Sequence, residues 1–388
     1  MDYTPDPLHE DIRAAVREMC RAFPDAYWRD HDQSGEFPWE FYDAVVRGGW
    51  LGLTIPEAYG GGGLGVTEAA FVEQEIAASG AGMGGCSAVH IGVFGFESMI
   101  RHGSEQLKRR FLPRAALGDL HVSFAVTEPD AGTDTTNIST FARKADGGWL
   151  VSGKKVWITK AQQAERMFLL ARTTPREAVS RRTEGMTLFF APVDRDRVEI
   201  RPIPKMGRNA VDTNELFIDD LFVADEDVIG AVGGGFTAIL AGLNAERVIS
   251  GNAALGIGRA ALAKATEYAR QRVVFGRPIG QNQGIAFQIA EARIRLDAAE
   301  AVLRKAAWLI DHGLPHAAEA NEGKWLAAEA GFLAADVAIS VHGGYGYARE
   351  YDVERYFREA RLMRIAPISQ EMVLNYVSEH LLGLPRSH

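Results

Sequence analysis

The sequence predicts an α+β multidomain protein with an N-terminal helical domain, a small middle β-barrel or sandwich, and a C-terminal four-helix bundle. Three observations carry that prediction. The hydrophobic period is helical at first, falls to two in the middle third, and becomes helical again in the last third. The middle third is built of short β-branched and aromatic runs punctuated by Gly, Pro, Asp and Arg. The last third runs in helical blocks longer than an ordinary globular helix, as in bundles. The period changes set expected domains at residues 1–119, 120–229 and 230–388.

In the first domain, Ile12, Val16, Met19 and Phe23 recur at helical spacing. Phe37-Pro38-Trp39-Glu40 opens a second helix after a break at Gly35. Gly60, Gly62 and Gly65 match the G-x-G-x-x-G dinucleotide fingerprint. Pro56 interrupts any preceding strand and no βαβ unit follows, so the segment is read as a flexible connection. In the middle domain the strand-like runs are Leu150-Val151, Val156-Trp157-Ile158, Met167-Phe168-Leu169-Leu170, Met186-Thr187-Leu188-Phe189-Phe190, Val198-Glu199-Ile200 and Leu216-Phe217-Ile218. In the last domain the helical blocks cover residues 236–272, 283–312, 315–341, 353 onward and finally 369–382.

A net charge of -9 and a pI near 5.7 argue against nucleic acid as a partner, since phosphate binding wants a basic surface. The two cysteines, Cys20 and Cys86, lie far apart without a C-x-x-C, which speaks against a disulfide framework or a structural zinc and for a reducing cytoplasm. The segment Met1-Asp2-Tyr3-Thr4-Pro5-Asp6 lacks the basic-then-apolar order of a signal peptide. No uninterrupted apolar run reaches membrane-spanning length, so membrane insertion is not expected.

Between Asp227 and Arg259 the only charged residues are Glu246 and Arg247, set among Ile239, Leu240, Leu243, Val248 and Ile249. A helix apolar nearly all round is usually buried, and a buried carboxylate is rare unless paired or functional. The residues alone leave both readings open, a structural ion pair for each with some other partner, or a functional acid. A second polar stretch, Thr127-Glu128-Pro129-Asp130-Ala131-Gly132-Thr133-Asp134, breaks a strand into a turn of exposed amides and hydroxyls. Such a turn suits an anion or a flat heterocycle, or is simply a loop of a β domain.

That turn, followed by Trp157-Ile158-Thr159, resembles the flavin-binding signature T-E-P-x-A-G-(S/T)-D…W-I-T of the acyl-CoA dehydrogenase family. The resemblance implies flavin contacts from Phe124, Thr127, Thr133, Trp157 and Thr159. Arg272-Val273-Val274-Phe275-Gly276-Arg277-Pro278-Ile279 with Gln283 is similar to the family's R-x-x-F-G-x-P-I-x-x-x-Q. It implies that Arg272, Phe275 and Gln283 reach the pyrophosphate and adenosine end of FAD in a neighbouring subunit. Gly343 and Gly344, in His342-Gly343-Gly344-Tyr345-Gly346-Tyr347, look like the family's turn over the adenine side, and Ser369 and Glu371 complete the implied cofactor set.

Most members of the family carry the catalytic Glu late in the chain, where this sequence has Pro367. A minority, including isovaleryl-CoA and long-chain enzymes, carry it on the first long C-terminal helix, at the place of Glu246. The resemblance therefore implies Glu246 as the base that removes the α-proton, with Arg247 and Thr133 as substrate contacts. It also implies FAD, an acyl-CoA or acyl-carrier-protein thioester, an electron-transfer flavoprotein as acceptor, and a homotetramer. Lys160, Val274, Ser340, Pro367 and Ile368 depart from the family pattern. Two other functions stand beside the dehydrogenase: a flavin oxidase or monooxygenase on the same scaffold, and a non-catalytic CoA-ester-binding subunit.

Overall fold

The computed structural model describes residues 6–240 and 242–386, so the terminal segment from Met1 to Pro5 and one position of the 236–272 block lie outside the described residues. The chain opens with α1 (Pro7–Cys20), α2 (Asp25–Ser34) and α3 (Trp39–Arg47). Asp6 starts α1 by accepting a hydrogen bond from the Leu8 amide, with Pro7 at the first helical position where its missing N–H costs nothing. The helix buries Ile12, Val16 and Cys20, and Phe23 packs just beyond its end rather than inside it. Gly35, at φ 74, ends α2 in the left-handed conformation, so two helices stand where the sequence suggested a break and one.

The glycine segment after Pro56 is a knitted turn rather than a flexible connection. Gly62 and Gly63 donate to the carbonyls of Gly52 and Ile55 at 2.9 Å each, and Leu64 to that of Leu53 at 3.0 Å. A side chain at Gly61 would come within 2.1 Å of the Ile55 carbonyl oxygen, which explains the glycine without any nucleotide. Next come α4 (Val66–Ile76), α5 (Gly82–Phe94), α6 (Glu97–His102) and α7 (Glu105–Ala116).

The middle strands are β1 (Val122–Ala125), β2 (Phe141–Ala145), β3 (Gly148–Thr159), β4 (Arg166–Arg172), β5 (Met186–Pro192), β6 (Val198–Pro202), β7 (Thr213–Ala224) and β8 (Val228–Ile229). They form one mixed sheet in the order β6-β7-β3-β2-β4-β5-β8, with β1 parallel to β4. The runs at 150–151 and 156–158 belong to a single long strand, which period counting split because of its irregularities. One of these faces the site. Lys155 pairs with Leu216 and Ile158 with Asn214, so two residues of β3 stand opposite one of β7. This bulge holds Trp157 at φ 64 and turns its ring out of the sheet, leaving it 60% exposed. Strands β3 to β7 close over a common core that includes Trp149, Met167, Phe189 and Leu216.

The C-terminal part contains α8 (Gly235–Leu240), α9 (Leu243–Gln271), the hairpin β9 (Val273–Val274) and β10 (Arg277–Pro278), α10 (Gln283–Asp311), α11 (Ala317–His342), α12 (Val353–Leu362) and α13 (Gln370–Tyr376). Small residues bring α9 and α11 together, and a side chain at Gly331 would lie 2.4 Å from the Ala254 carbonyl oxygen. The N-terminal helices and the bundle share one hydrophobic core, running from Ile12 through Val89 to Val248, Leu296 and Tyr356. The first and third expected domains therefore pack as one body, with the sheet inserted between them in sequence. Two described stretches, Val66–His102 and Ala317–Tyr347, are apolar enough on average to span a membrane. Most of each apolar window, 72% and 56%, is buried inside the chain.

Candidate flavin and acyl site

A cavity of about 320 Å³ lies where α5, the start of α9, the turn after α12 and the edge of the sheet meet. Phe124, Thr127, Trp157, Thr159, Glu246 and Pro367 all line it, although they come from three separate parts of the chain. Each element delivers its residue for a local reason. The bulge aims Trp157, β1 ends at Phe124–Ala125, and α9 starts just before Glu246. Phe124 is fixed by stacking on Phe168 at 4.7 Å.

The turn after β1 is held by a buried ion pair. Lys155 Nζ donates to Glu128 Oε1 at 2.9 Å and to the carbonyls of Val126 and Leu170 at 2.9 and 2.7 Å. The second Glu128 oxygen accepts from the Ser139 amide and hydroxyl at 2.6 and 2.8 Å, and the Thr140 amide donates to the first at 3.0 Å. Burial by itself would raise the Glu128 pKa, but Lys155, Thr140 and Ser139 outweigh it and hold the carboxyl at about 2. Burial lowers Lys155 to about 8.

Glu246 lies in the first turn of α9, and its carboxylate has no hydrogen bond or ion pair among the described residues. Burial raises its pKa, and His90 and Arg247 offset this only in part. A desolvated, unpartnered carboxyl opening into a cavity is suited to taking up a proton. Arg247 does not line the cavity; its guanidinium is engaged by Asn244, one turn back on the opposite side from Glu246. Thr133 is exposed on the turn and also lies outside the cavity wall.

A second cavity of about 670 Å³ gathers Arg272, Gly343 and Gly344 with Tyr268, His342 and Tyr345. A Cβ at either glycine would meet nothing within 4 Å, so both leave open space. Arg272 lies over the Tyr345 ring at 5.6 Å. His342 is a core histidine, with Nδ1 2.7 Å from the Ala338 carbonyl and its ring stacked on Tyr268 at 4.2 Å. The two cavities share no lining residue, so a single chain does not bring Arg272 to Glu246. Phe275 projects wholly into solvent at φ 53, and Gln283 is exposed at the first position of α10. Ser369 caps α13 by accepting from the Met372 amide at 3.3 Å, and Glu371 is exposed in that helix's first turn.

Two basic residues of the cavity wall have no site role in the sequence reading: His90 on α5, and Arg208 on the loop before β7, in a segment that resembles the family's closing β-domain stretch and reads as turns. Between Glu75 and Glu97 the chain carries no charged residue, and His90 is the one imidazole there. It is an isolated polar group in an apolar block, as Glu246 is. Arg208 gave no such signal, because Lys205 and Asp212 stand close by in the same loop and it is not an isolated charge.

The cavity offers a flat indole wall and two threonine hydroxyls, of which that of Thr127 makes no hydrogen bond among the described residues. A planar ring edged with hydrogen-bonding groups fits that donor set. Residues 6–119, 123–221 and 233–382 match the family descriptions "Acyl-CoA dehydrogenase" N-terminal, middle and C-terminal domain. The chain is 36% identical over 379 residues to acyl-CoA dehydrogenase FadE12 of Mycobacterium tuberculosis, covering 97% of this chain and 96% of that one. It superposes on butyryl-CoA dehydrogenase from Megasphaera elsdenii with a TM-score of 0.92 at 29% identity, covering 98% and 100% of the two chains. Against a glutaryl-coenzyme A dehydrogenase in complex with glutaryl-CoA the TM-score is 0.91 at 28% identity, covering 100% and 98%. The chain belongs to the acyl-CoA dehydrogenase family, the FAD-dependent oxidoreductases that act on acyl-CoA.

Proposed function

We propose that this protein converts a saturated acyl-CoA, or an acyl-carrier-protein thioester, into its α,β-enoyl thioester, with Glu246 as the base. The observation that carries this reading is the unpartnered Glu246 carboxylate on the wall that also presents Trp157 and Thr159. Glu246 takes the proton from the α-carbon. Bound FAD supplies acceptance of the β-hydride, so two hydrogens leave the substrate and a C=C bond forms. The low-dielectric wall favours a base of raised pKa and excludes water from the developing enolate. Pro367 lines the same cavity but has no amide hydrogen to offer that enolate.

In this reading Trp157 covers the flavin ring, Thr127 and Thr159 hydrogen-bond its edge, and Phe124 supports the strand beneath. Trp157→Ala should weaken FAD retention by about tenfold or more by removing an aromatic face. Fluorescence of released flavin measures this, and an unchanged circular dichroism spectrum shows that the β domain is intact. Retention equal to wild type would remove Trp157 from the cofactor site.

Arg272, Phe275, Gln283, Gly343 and Gly344 serve the far end of FAD in a neighbouring subunit of a homotetramer. The exposed apolar residues Phe275, Phe287 and Ile294, at 101%, 63% and 68%, support this surface as a subunit contact. Light scattering on the FAD-loaded protein should give the tetramer mass. Phe287→Glu with Ile294→Glu should reduce that mass and release flavin together, whereas a wild-type monomer that holds FAD tightly would contradict the assignment.

Electrons then pass to an electron-transfer flavoprotein of the cytoplasm. The test is the fate of substrate-reduced enzyme. Rapid reoxidation by an electron-transfer flavoprotein and slow reoxidation by oxygen support a dehydrogenase, and the reverse order supports an oxidase.

A further inference from the structure

We propose that Arg208 and His90 form an anion-recognising subsite in the cavity, so that the preferred acyl group carries a carboxylate a few carbons from its thioester. The proposal rests on the acyl-thioester reading above and names its substrate class.

Helix α5 is apolar and buried on most sides, which makes His90 on its cavity face conspicuous. Nδ1 of His90 lies 3.3 Å from Oε1 of the wholly buried Glu73, which leaves Nε2 as the donor directed elsewhere. One turn earlier, Ser87 Oγ accepts from Arg208 Nη1 at 3.2 Å, so the guanidinium and the imidazole share one helix face. The guanidinium also donates to Thr159 Oγ1 at 3.2 Å and Thr213 Oγ1 at 2.6 Å. All three partners are neutral hydroxyls. No carboxylate stands within ion-pair distance among the described residues, and the buried Nε has no partner.

Arg208 is half-buried, with its Nε fully buried, and a guanidinium drawn inward in this way normally has a carboxylate against it, because an unpaired charge in the interior is costly. The acids nearest Arg208 make no bond to it among the described residues. Glu359 accepts from the Met83 amide at 2.6 Å, and Asp212 through Oδ2 from the Gln162 amide at 3.2 Å and from Asn214, while its buried Oδ1 makes no hydrogen bond. Around the cavity the remaining acids are Glu246, the base, and Glu97, which is paired with Arg101. Burial lowers Arg208 to about 10, which leaves it protonated at neutral pH. Burial would also depress His90, but Glu73 and then Glu246 outweigh it and raise the imidazole above its ordinary value. The cavity thus holds a guanidinium with no carboxylate against it beside an imidazole whose Nε2 is left by the Glu73 contact as a donor, and a carboxylate on the acyl chain meets both.

Two CoA thioethers test this by equilibrium binding alone, since without a thioester carbonyl neither is oxidised. One carries a carboxybutyl chain and the other an isosteric isoheptyl chain. By calorimetry the FAD-loaded wild type should bind the carboxybutyl ligand about tenfold or more tightly than the isoheptyl ligand, the effect of a charge-assisted hydrogen bond. Arg208→Met and His90→Phe should each abolish or reverse that preference. Arg208→Lys should keep part of it, which a residue that merely ties α5 to the sheet would not do. Equal or tighter binding of the isoheptyl ligand by wild type overturns the subsite and leaves the dehydrogenase reading standing. Binding of neither ligand by FAD-loaded protein overturns both.

Discussion

Glu246→Gln is expected to slow anaerobic flavin reduction by acyl-CoA about 10²–10⁴-fold, the usual worth of a positioned general base. FAD content and the affinity for CoA ligands should stay near wild type, because the amide fills the same volume and the carboxylate it replaces makes no hydrogen bond or ion pair among the described residues. Burial holds the wild-type carboxyl above the ordinary range of about 4.3. The base works only when deprotonated, so the reduction rate should climb with pH until the medium passes that raised pKa. The variant should lose this acid limb along with the rate. Wild-type reduction rates in Glu246→Gln would place the base elsewhere.

The second large effect concerns the turn that presents Thr127. Lys155→Met should destabilise the protein by about 3–5 kcal/mol, as expected when one member of a buried ion pair is removed. The loss falls on Glu128 and on the carbonyls of Val126 and Leu170, which this ammonium holds together. FAD retention should fall with stability, unlike in Trp157→Ala, where only retention falls. The pH sign follows from Glu128, whose folded pKa of about 2 lies below its ordinary value of 4.5. Its stabilisation is complete above about pH 4.5 and is lost as the pH falls through 2. Chemical denaturation of the wild type and Lys155→Met across that window measures the difference. Equal stabilities at neutral pH would contradict the anchoring role.

The helix–sheet–helix order was legible because each segment repeats one hydrophobic period many times, and Glu246 stood out as a charge in an apolar block. What stayed hidden depended on contacts distant in sequence. Nothing in the sequence around Lys155 marks it as buried, yet a turn and a neighbouring strand enclose it. The role of Trp157 came from the W-I-T resemblance, but only the pairing of β3 with β7 shows the extra residue that turns it outward. Arg208 gains its meaning from hydroxyls on α5, β3 and β7, which no local pattern connects. The substrate roles of Arg247 and Thr133 came from resemblance alone, and the chain places both outside the cavity that Glu246, Trp157 and Thr159 line.

The most direct test of the account is to mix FAD-loaded protein with acyl-CoA substrates of graded length and terminal charge in the absence of oxygen, following the flavin absorbance and the product mass. The account predicts bleaching of the flavin and a product lighter than its substrate by two hydrogens. Flavin that stays oxidised with every substrate, or a product that has gained oxygen once air is admitted, would contradict it.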